Sequence, residues 1–477
     1  MDSNLGSEMD LETIKKRSLL GIASLVSRSF LVQGIALASM FFLTVFLDPK
    51  TFGVFYLVSA FVNFFQYFSD VGLAAALIQK REKLDDKDLK TTFFLQQILV
   101  ITLLILIFFL SFLVKGWYNL DKSAIFLLYA LAFSFFLSSL KTIPSVILER
   151  NLKFNLLIIP QIIETLVFNL VAVFLAWKGF GINSFTWAVL ARGLIGLAVI
   201  YLIAPWKIGI AFSKQSLKEL LKFGLPYQAN TMIAVVKDDL MTIILGKIIG
   251  ASGLGYLGWA KKWAETPLRF LMDNVSKVAF PTFSRIQDDK EKLIKAVEKS
   301  LFFLCFLTFP ILVGFSIFAS DLVKIIPRYL KWQPALFALY IYCFNSAWAT
   351  VSTPMTNLLN AIGKIKTTFK LMIMWLVLTW ALMPILGIKY GFNGVAFSVG
   401  IISISSIVAI FTARRYVHFD LVNSIGKPIV SSILMGLIIY LIKIPSMNLT
   451  LLLIGKIVLG IICYLLISFC TIPLNSS

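Results

Sequence analysis

Ile98-Leu-Val-Ile-Thr-Leu-Leu-Ile-Leu-Ile-Phe-Phe-Leu-Ser-Phe-Leu-Val114 lies in a window, residues 91–114, that holds no charged side chain. As an α-helix this window is about 36 Å long at 1.5 Å per residue. That exceeds the ~30 Å hydrocarbon core of a bilayer. A helix apolar on every face suits hydrocarbon, where the backbone must satisfy its polar groups within the segment. The window reads as a transmembrane helix.

Thirteen further windows read the same way: 19–46, 52–78, 123–148, 155–177, 182–204, 220–246, 252–282, 298–319, 334–360, 367–387, 392–413, 427–442 and 449–472. The composition agrees, with 59% hydrophobic and 14% charged residues in 477. The charged share is about half that of a soluble domain. A soluble enzyme, a secreted disulfide scaffold and a disordered chain are all excluded. The expected class is all-α, a polytopic membrane protein of about 14 helices.

The net charge of +20 would suggest nucleic acid in a soluble chain. In a membrane protein it has another origin, because cytoplasmic loops collect Lys and Arg. With the N-terminus inside, the loops on that side and the N-terminal tail carry 25 cations and the opposite loops 10. Both termini are expected in the cytoplasm, and no nucleic acid is needed. The four cysteines lie in apolar runs without metal-ligand spacing. The first apolar run is too long for a cleaved signal peptide.

The windows divide into an N-terminal cytoplasmic segment 1–18, a lobe at 19–204, an amphipathic linker at 205–219, a second lobe at 220–416 and a C-terminal pair at 417–477. Lys214, Lys218 and Lys222 are spaced by four, as on one face of a surface helix. Leu47–Tyr56 and Ile249–Gly258 are both turn-like stretches opening onto a helix, and Gly53 matches Gly255. Two similar lobes of six helices suggest rocking about a central cavity.

Nine cations fall inside windows: Arg28, Lys141, Arg192, Lys237, Lys261, Lys262, Arg269, Lys277 and Lys456. Six acids join them: Asp70, Glu164, Asp238, Asp239, Glu265 and Asp273. Each costs about 2.5–3.5 kcal/mol near the bilayer centre, so they must pair or line a wet interior. Counting residues from each turn sets Arg28 level with Asp70, Glu164 with Arg192, and Asp238 and Asp239 with Lys261 and Lys262. Such pairs either assemble the bundle or exchange partners during transport. In the eighth window Lys261, Glu265, Arg269, Asp273 and Lys277 recur every four residues and wind slowly round the helix, with Pro267 permitting a kink. This row is expected to line a cavity. The excess of cations favours an anion, with Arg suited to phosphate. The ring-bearing Tyr56, Phe64, Phe65, Tyr67 and Phe68 could stack on sugars or simply fill the bundle.

No phosphate-binding Gly-rich loop with Lys occurs, and no loop is large enough for a separate domain. An ATP motor within the chain is therefore not expected, and neither is enzyme activity. His418, the single histidine, sits at a helix end and suits a surface role.

Lys222-Phe-Gly-Leu-Pro226, then Asp238-Asp239, then Gly253-Leu-Gly-Tyr256 with Trp259-Ala260, resembles the start of the second lobe in polysaccharide-transporter flippases. Pro49-Lys-Thr-Phe-Gly-Val-Phe-Tyr56, running on to Asp70-Val-Gly-Leu73, carries the same resemblance. Leu148-Glu-Arg-Asn-Leu-Lys-Phe154 and Val278-Ala-Phe-Pro-Thr-Phe-Ser-Arg-Ile286 resemble the colanic-acid-exporter branch. The similarity covers about residues 18–420.

The resemblance implies a member of the multidrug/oligosaccharidyl-lipid/polysaccharide exporter superfamily. It implies transport of undecaprenyl-diphosphate-linked oligosaccharides across the bacterial inner membrane, and membership of a pathway with a polysaccharide polymerase and chain-length machinery. No cofactor is implied, but some relatives couple transport to a proton or sodium gradient. Arg28 and Arg269 correspond by helix and depth to head-group contacts in related lipid II flippases. The expected head-group residues are Arg28, Arg192, Lys237, Lys261, Lys262 and Arg269. The expected coupling or gating acids are Asp70, Glu164, Asp238, Asp239, Glu265 and Asp273. The rival reading is an ion-coupled drug or metabolite antiporter of the same superfamily, which would call for an acid-rich lobe.

Overall fold

The computed structural model describes residues 31–80, 82, 84–442 and 449–471. The expected segment 1–18, the start of the first helix and Arg28 lie outside the described residues. Within them the chain is helical, with no strand.

The helices, in chain order, are α1 (Leu31–Phe46), α2 (Pro49–Gln66), α3 (Leu73–Gln79), α4 (Asp86–Tyr118), α5 (Lys122–Leu140), α6 (Thr142–Arg150), α7 (Phe154–Trp177) and α8 (Asn183–Ile203). There follow α9 (Lys214–Val235), α10 (Met241–Arg285), α11 (Lys290–Ile325), α12 (Leu336–Ala361), α13 (Ile365–Ile404), α14 (Ile407–Arg414), α15 (Leu421–Leu441) and α16 (Leu449–Thr471). Ten helical stretches are long and apolar enough to cross a membrane, and Leu31–Phe46 and Leu453–Ser468 are shorter apolar helices. Two of the ten, Val236–Met272 and Ile365–Arg414, contain a glycine with positive φ. At Gly391 (φ 62°) the chain folds back, so that a β-carbon on Gly394 would lie 2.0 Å from the Leu386 carbonyl oxygen. At Gly250 (φ 71°, ψ 174°) two helices likewise meet end to end. Counting each as two gives fourteen apolar segments among the described residues, matching the windows in the sequence.

Three expected helices are not continuous, and one of them, the window 392–413, breaks at Ser405–Ser406 between α13 and α14. The window 52–78 breaks after a 3-10 turn at Tyr67–Ser69, where Val71 (φ 49°) and Gly72 (φ 74°) take left-handed backbone. Gly72 is required there by space as well as by dihedral, because a β-carbon would sit 2.4 Å from the carbonyl oxygen of Gly224. The window 123–148 breaks at Lys141, between α5 and α6. The seventh window is continuous with the linker helix: α9 begins at Lys214 and leads through a π-helical turn, Val236–Leu240, into α10. The linker itself is helical only from Lys214, and residues 204–213 are not helical. Pro267 lies inside α10, and the helical dihedrals continue through it.

The chain forms two compact units. The first comprises the described residues up to Leu47 together with Thr51–Ala251, and the second Asp48–Lys50 with Ser252 onward. In the first unit α7 packs along α8 and α5 along α8, while α9 packs on α3 and α4. Leu73, Leu77, Phe93, Ile143 and Leu220 share a buried cluster there. In the second unit α11 packs on α12 and α15, and α12 on α13, around Leu301, Cys305, Met355 and Leu358. Pro49 opens α2 at a position suited to proline, and its carbonyl lies against Gly255, where no side chain would fit.

Candidate functional site

The first unit brings three charged side chains from three elements to one point. Lys141 occupies the joint between α5 and α6, so its side chain leaves the α5 line. Glu164 projects from α7 toward α8, where Gly196 provides the space; a β-carbon at Gly196 would lie 2.2 Å from Glu164 Oε1. Lys141 Nζ donates to Glu164 Oε1 at 2.7 Å, and Arg192 Nε reaches Oε2 at 3.5 Å. Glu164 and Lys141 are nearly buried, with side chains 12% and 15% exposed, whereas Arg192 is 53% exposed. Lys141 therefore neutralises the carboxylate at close range. Among the described residues no acceptor engages the terminal guanidinium nitrogens of Arg192, and the trio carries a net charge of +1.

The depth match between Glu164 and Arg192 is thus a contact. Lys141 is one of the intramembrane cations but not one of the expected site residues. Pairing by hairpin depth compares only sequence-adjacent helices, and Lys141 comes from the preceding hairpin. The interruption of an apolar run by a single lysine was the available signal.

Asp70 stands in the turn before α3. Both its carboxylate oxygens accept from the Ala74 N–H, at 3.1 and 3.2 Å, in the first turn of that helix. Its expected partner Arg28 lies outside the described residues. Lys237, Asp238 and Asp239 fall on the π-helical turn, where Lys237 Nζ stands 3.6 Å from Asp238 Oδ1. π-Turns recur at functional positions in helices. These three residues belong to the first unit and Lys261 and Lys262 to the second.

In the second unit the charged row lies on α10. Ala260, Ala264, Leu268 and Met272 form the buried face of this helix. Lys261, Glu265 and Arg269 each follow a buried residue by one position, so their row is rotated about 100° from the packed face. Lys261, Lys262 and Arg269 are exposed. Arg269 Nε and Nη2 both donate to Glu265 Oε2, at 3.2 and 3.1 Å. Glu265 is thereby consumed by Arg269, and no ion pair engages Lys261 or Lys262 among the described residues. Trp259 anchors the helix by stacking on Trp332 at 5.4 Å. The side chain of Asp273 lies outside the described residues.

The second unit also has an open apolar pocket of about 380 Å³ between α11, α12 and α15, lined by Phe309, Leu312, Phe344, Trp348 and Ile429 among others. Ser432 at its wall donates its hydroxyl to the Pro428 carbonyl. The pocket offers nothing to a charged group. No cluster that could hold a metal ion occurs among the described residues.

Each unit therefore carries an exposed cationic surface on membrane-spanning helices, with its nearest acid already satisfied. The chain is 24% identical to the lipopolysaccharide biosynthesis protein WzxC of Escherichia coli (strain K12) over 368 residues, 75% of this chain and 73% of the relative. Its fold is shared with the lipid II flippase MurJ in an inward closed conformation (TM-score 0.75, 19% identity, 94% of this chain and 98% of that one). It is shared also with an inward-facing multidrug resistance MATE transporter of the MOP superfamily (TM-score 0.62, 15% identity, 82% and 94% covered). A family model described as polysaccharide biosynthesis protein matches residues 42–335. That match spans more than half of the sequence, and the chain belongs to the polysaccharide biosynthesis protein family.

Proposed function

We propose that the chain is a flippase for lipid-linked oligosaccharides, moving undecaprenyl-diphosphate-linked glycan units across the bacterial inner membrane by alternating access through a cationic cavity. The relatives' names support a place in polysaccharide export, and the fold is that of a lipid II flippase. The observation that carries the reading is the pattern of exposed charge on spans. Arg192 in the first unit, and Lys261, Lys262 and Arg269 in the second, cannot face acyl chains at reasonable cost, so each unit turns its cations toward water. With Glu164 and Glu265 paired, each water-facing surface is basic and suits a diphosphate. Planar guanidinium groups match its oxygens, and lysines add point charges.

In this reading the sugars and diphosphate cross through the basic path while the polyprenyl tail remains in hydrocarbon. The two lobes, 19–204 and 220–416, rock to expose the head group on alternate sides. Both termini face the cytoplasm, in keeping with the loop cations. A head group with about two negative charges leaving a negative interior gains roughly 4–5 kcal/mol per 100 mV. Return of the empty basic path works against the same potential. Asp238, exposed on the π-helical turn and, among the described residues, in a long contact with Lys237 alone, is the acid best suited to take a proton or sodium ion in that step.

The experiment is head-group translocation in vesicles by Arg269→Glu and Arg192→Gln variants that express normally. Loss of transport with each supports the reading. Unchanged transport removes the residue from the path. Ion-driven efflux of an organic cation, with no glycolipid movement, would establish the antiporter reading instead.

A further inference from the structure

Residues 204–213 connect α8 to α9 as non-helical chain. From residue 208 their side chains alternate. Ile208, Ile210 and Phe212 are 57%, 75% and 59% exposed, whereas the residues between them face the protein. Gly209 lies on the stem of Lys90, where a β-carbon would meet Cε at 2.5 Å. The Ser213 N–H donates to Thr91 Oγ1 at 3.1 Å. Just upstream, the Trp206 ring packs edge-on against Phe93 at 5.1 Å. A period of two is that of extended chain, so one face of this strap is bolted to the start of α4 and the other presents three large apolar side chains.

The depth of the strap is fixed from both sides. It begins where the α8 span ends, at Ile203, and it packs on Lys90, Thr91 and Phe93 at the start of the α4 span. Both place it at the boundary between hydrocarbon and head groups. Lys207 precedes the apolar trio, and Lys214, Lys218 and Lys222 follow it on the outer side of α9, whose inner side buries Ser216 and Leu220. Among the described residues none of these four lysines makes an ion pair. Glu219, on the same helix, is engaged by Lys80 at 3.3 Å.

We infer that the strap and the first turns of α9 form a docking surface for anionic phospholipid, with Ile208, Ile210 and Phe212 inserted among the acyl chains and the four lysines on the phosphate groups. Apolar side chains with adjacent lysines are the pattern that binds anionic interfaces. The trio without the lysines would enter any bilayer, and the charge is what selects the lipid. The surface is independent of the transported substrate, so its test does not depend on the flippase reading.

The test uses the full chain with its four cysteines replaced by alanine and a spin label at Ile210→Cys, reconstituted in phosphatidylcholine vesicles with or without phosphatidylglycerol. The label is expected to be reached by oxygen and shielded from a water-soluble nickel complex. In parallel, phosphatidylglycerol retained by the detergent-purified wild type is compared with that retained by Lys214→Gln/Lys218→Gln. A basic residue near an anionic surface contributes about fivefold in affinity, so loss of two should weaken phosphatidylglycerol retention by about 25-fold, with phosphatidylcholine unchanged. A label open to the nickel complex overturns insertion. Equal phosphatidylglycerol retention by the two proteins overturns the lipid selectivity. Either result defeats the inference.

Discussion

The ammonium of Lys141 lies 2.7 Å from the carboxylate of Glu164, with both side chains nearly buried. Breaking such a pair leaves an uncompensated charge and costs about 3–5 kcal/mol. Lys141→Met should therefore lower the thermal unfolding midpoint in detergent sharply, and Lys141→Met/Glu164→Gln should recover most of the loss. Arg192 is the contrasting member of the trio. It is exposed and 3.5 Å from Glu164, so Arg192→Gln should cost less than about 1 kcal/mol while reducing glycolipid transport.

Two backbones cross at Gly72 and Gly224. Alanine at Gly72 meets a left-handed φ of 74° and places a β-carbon 2.4 Å from the Gly224 oxygen. The combined cost should be about 2–4 kcal/mol. Gly179 is the control, because its φ is 84° and nothing lies within 4 Å of its β-carbon position. Gly179→Ala carries the conformational cost alone, about 1–2 kcal/mol. Unfolding midpoints of the two variants measure the difference, which is the contribution of the crossing.

Where hydropathy changes abruptly, the sequence predicts the fold closely. The windows 155–177 and 182–204 are found as Phe154–Trp177 and Asn183–Ile203. Breaks inside apolar runs are harder to read. The turn at Asp70–Gly72 and the joint at Lys141 each interrupt an apolar run by one charged residue only, and their geometry depends on partners elsewhere in the chain, Gly224 for Gly72 and Glu164 for Lys141. The π-turn at Val236–Leu240 carries Lys237, Asp238 and Asp239, but charge alone does not distinguish a π-turn from a continuing α-helix. The same limit applies to the site. Glu164 with Arg192 could be read by counting from one turn, whereas the capture of Glu164 by Lys141 required knowledge of which helices are neighbours. The bond from the Ala74 N–H to Asp70 is hidden because the sequence reads as one continuous helix there.

Arg150, the last residue of α6, closes the end of α3. Its guanidinium donates to the carbonyls of Leu77 at 2.7 Å, Lys80 at 2.6 Å and Glu82. A lysine keeps the charge but cannot present the same planar fork. Arg150→Lys should cost about 1–3 kcal/mol, read as a lower unfolding midpoint and as faster amide exchange at the end of α3.

Two surface groups set the pH response at the membrane boundary. Asp289 caps α11, and hydrogen bonds from the Lys292 ammonium and N–H hold its carboxyl below the ordinary aspartate value. Its contribution is present above that ordinary value and is lost as pH falls through the depressed one. Lys80 is held above the ordinary lysine value: burial opposes its charge, but the hydrogen bonds and fields of Asp88 and Glu219 prevail. Its contribution is present below the ordinary lysine value and is lost as pH rises through the raised one. Stability from both groups should be flat between these limits. Asp289→Ala should lower the unfolding midpoint at neutral pH and make progressively less difference in acid, where the wild-type carboxylate is itself protonated.

The phase of charge on α10 separates a structural row from a functional one. Arg269 stands one position beyond the buried Leu268 and is 67% exposed, held only by Glu265 from the same helix. An i,i+4 pair of this kind contributes less than about 1 kcal/mol, so Arg269→Leu should fold with near wild-type stability. If the row lines the head-group path, the same variant should still transport glycolipid poorly. Ala264 is fully buried on the adjacent face. Ala264→Lys adds the same kind of charge with no acceptor and no room, at a cost of several kcal/mol. Paired measurements of unfolding midpoint and transport should therefore dissociate, with activity lost in Arg269→Leu and stability lost in Ala264→Lys. A stability loss in Arg269→Leu equal to that in Ala264→Lys would make the row a packing device and remove α10 from the path.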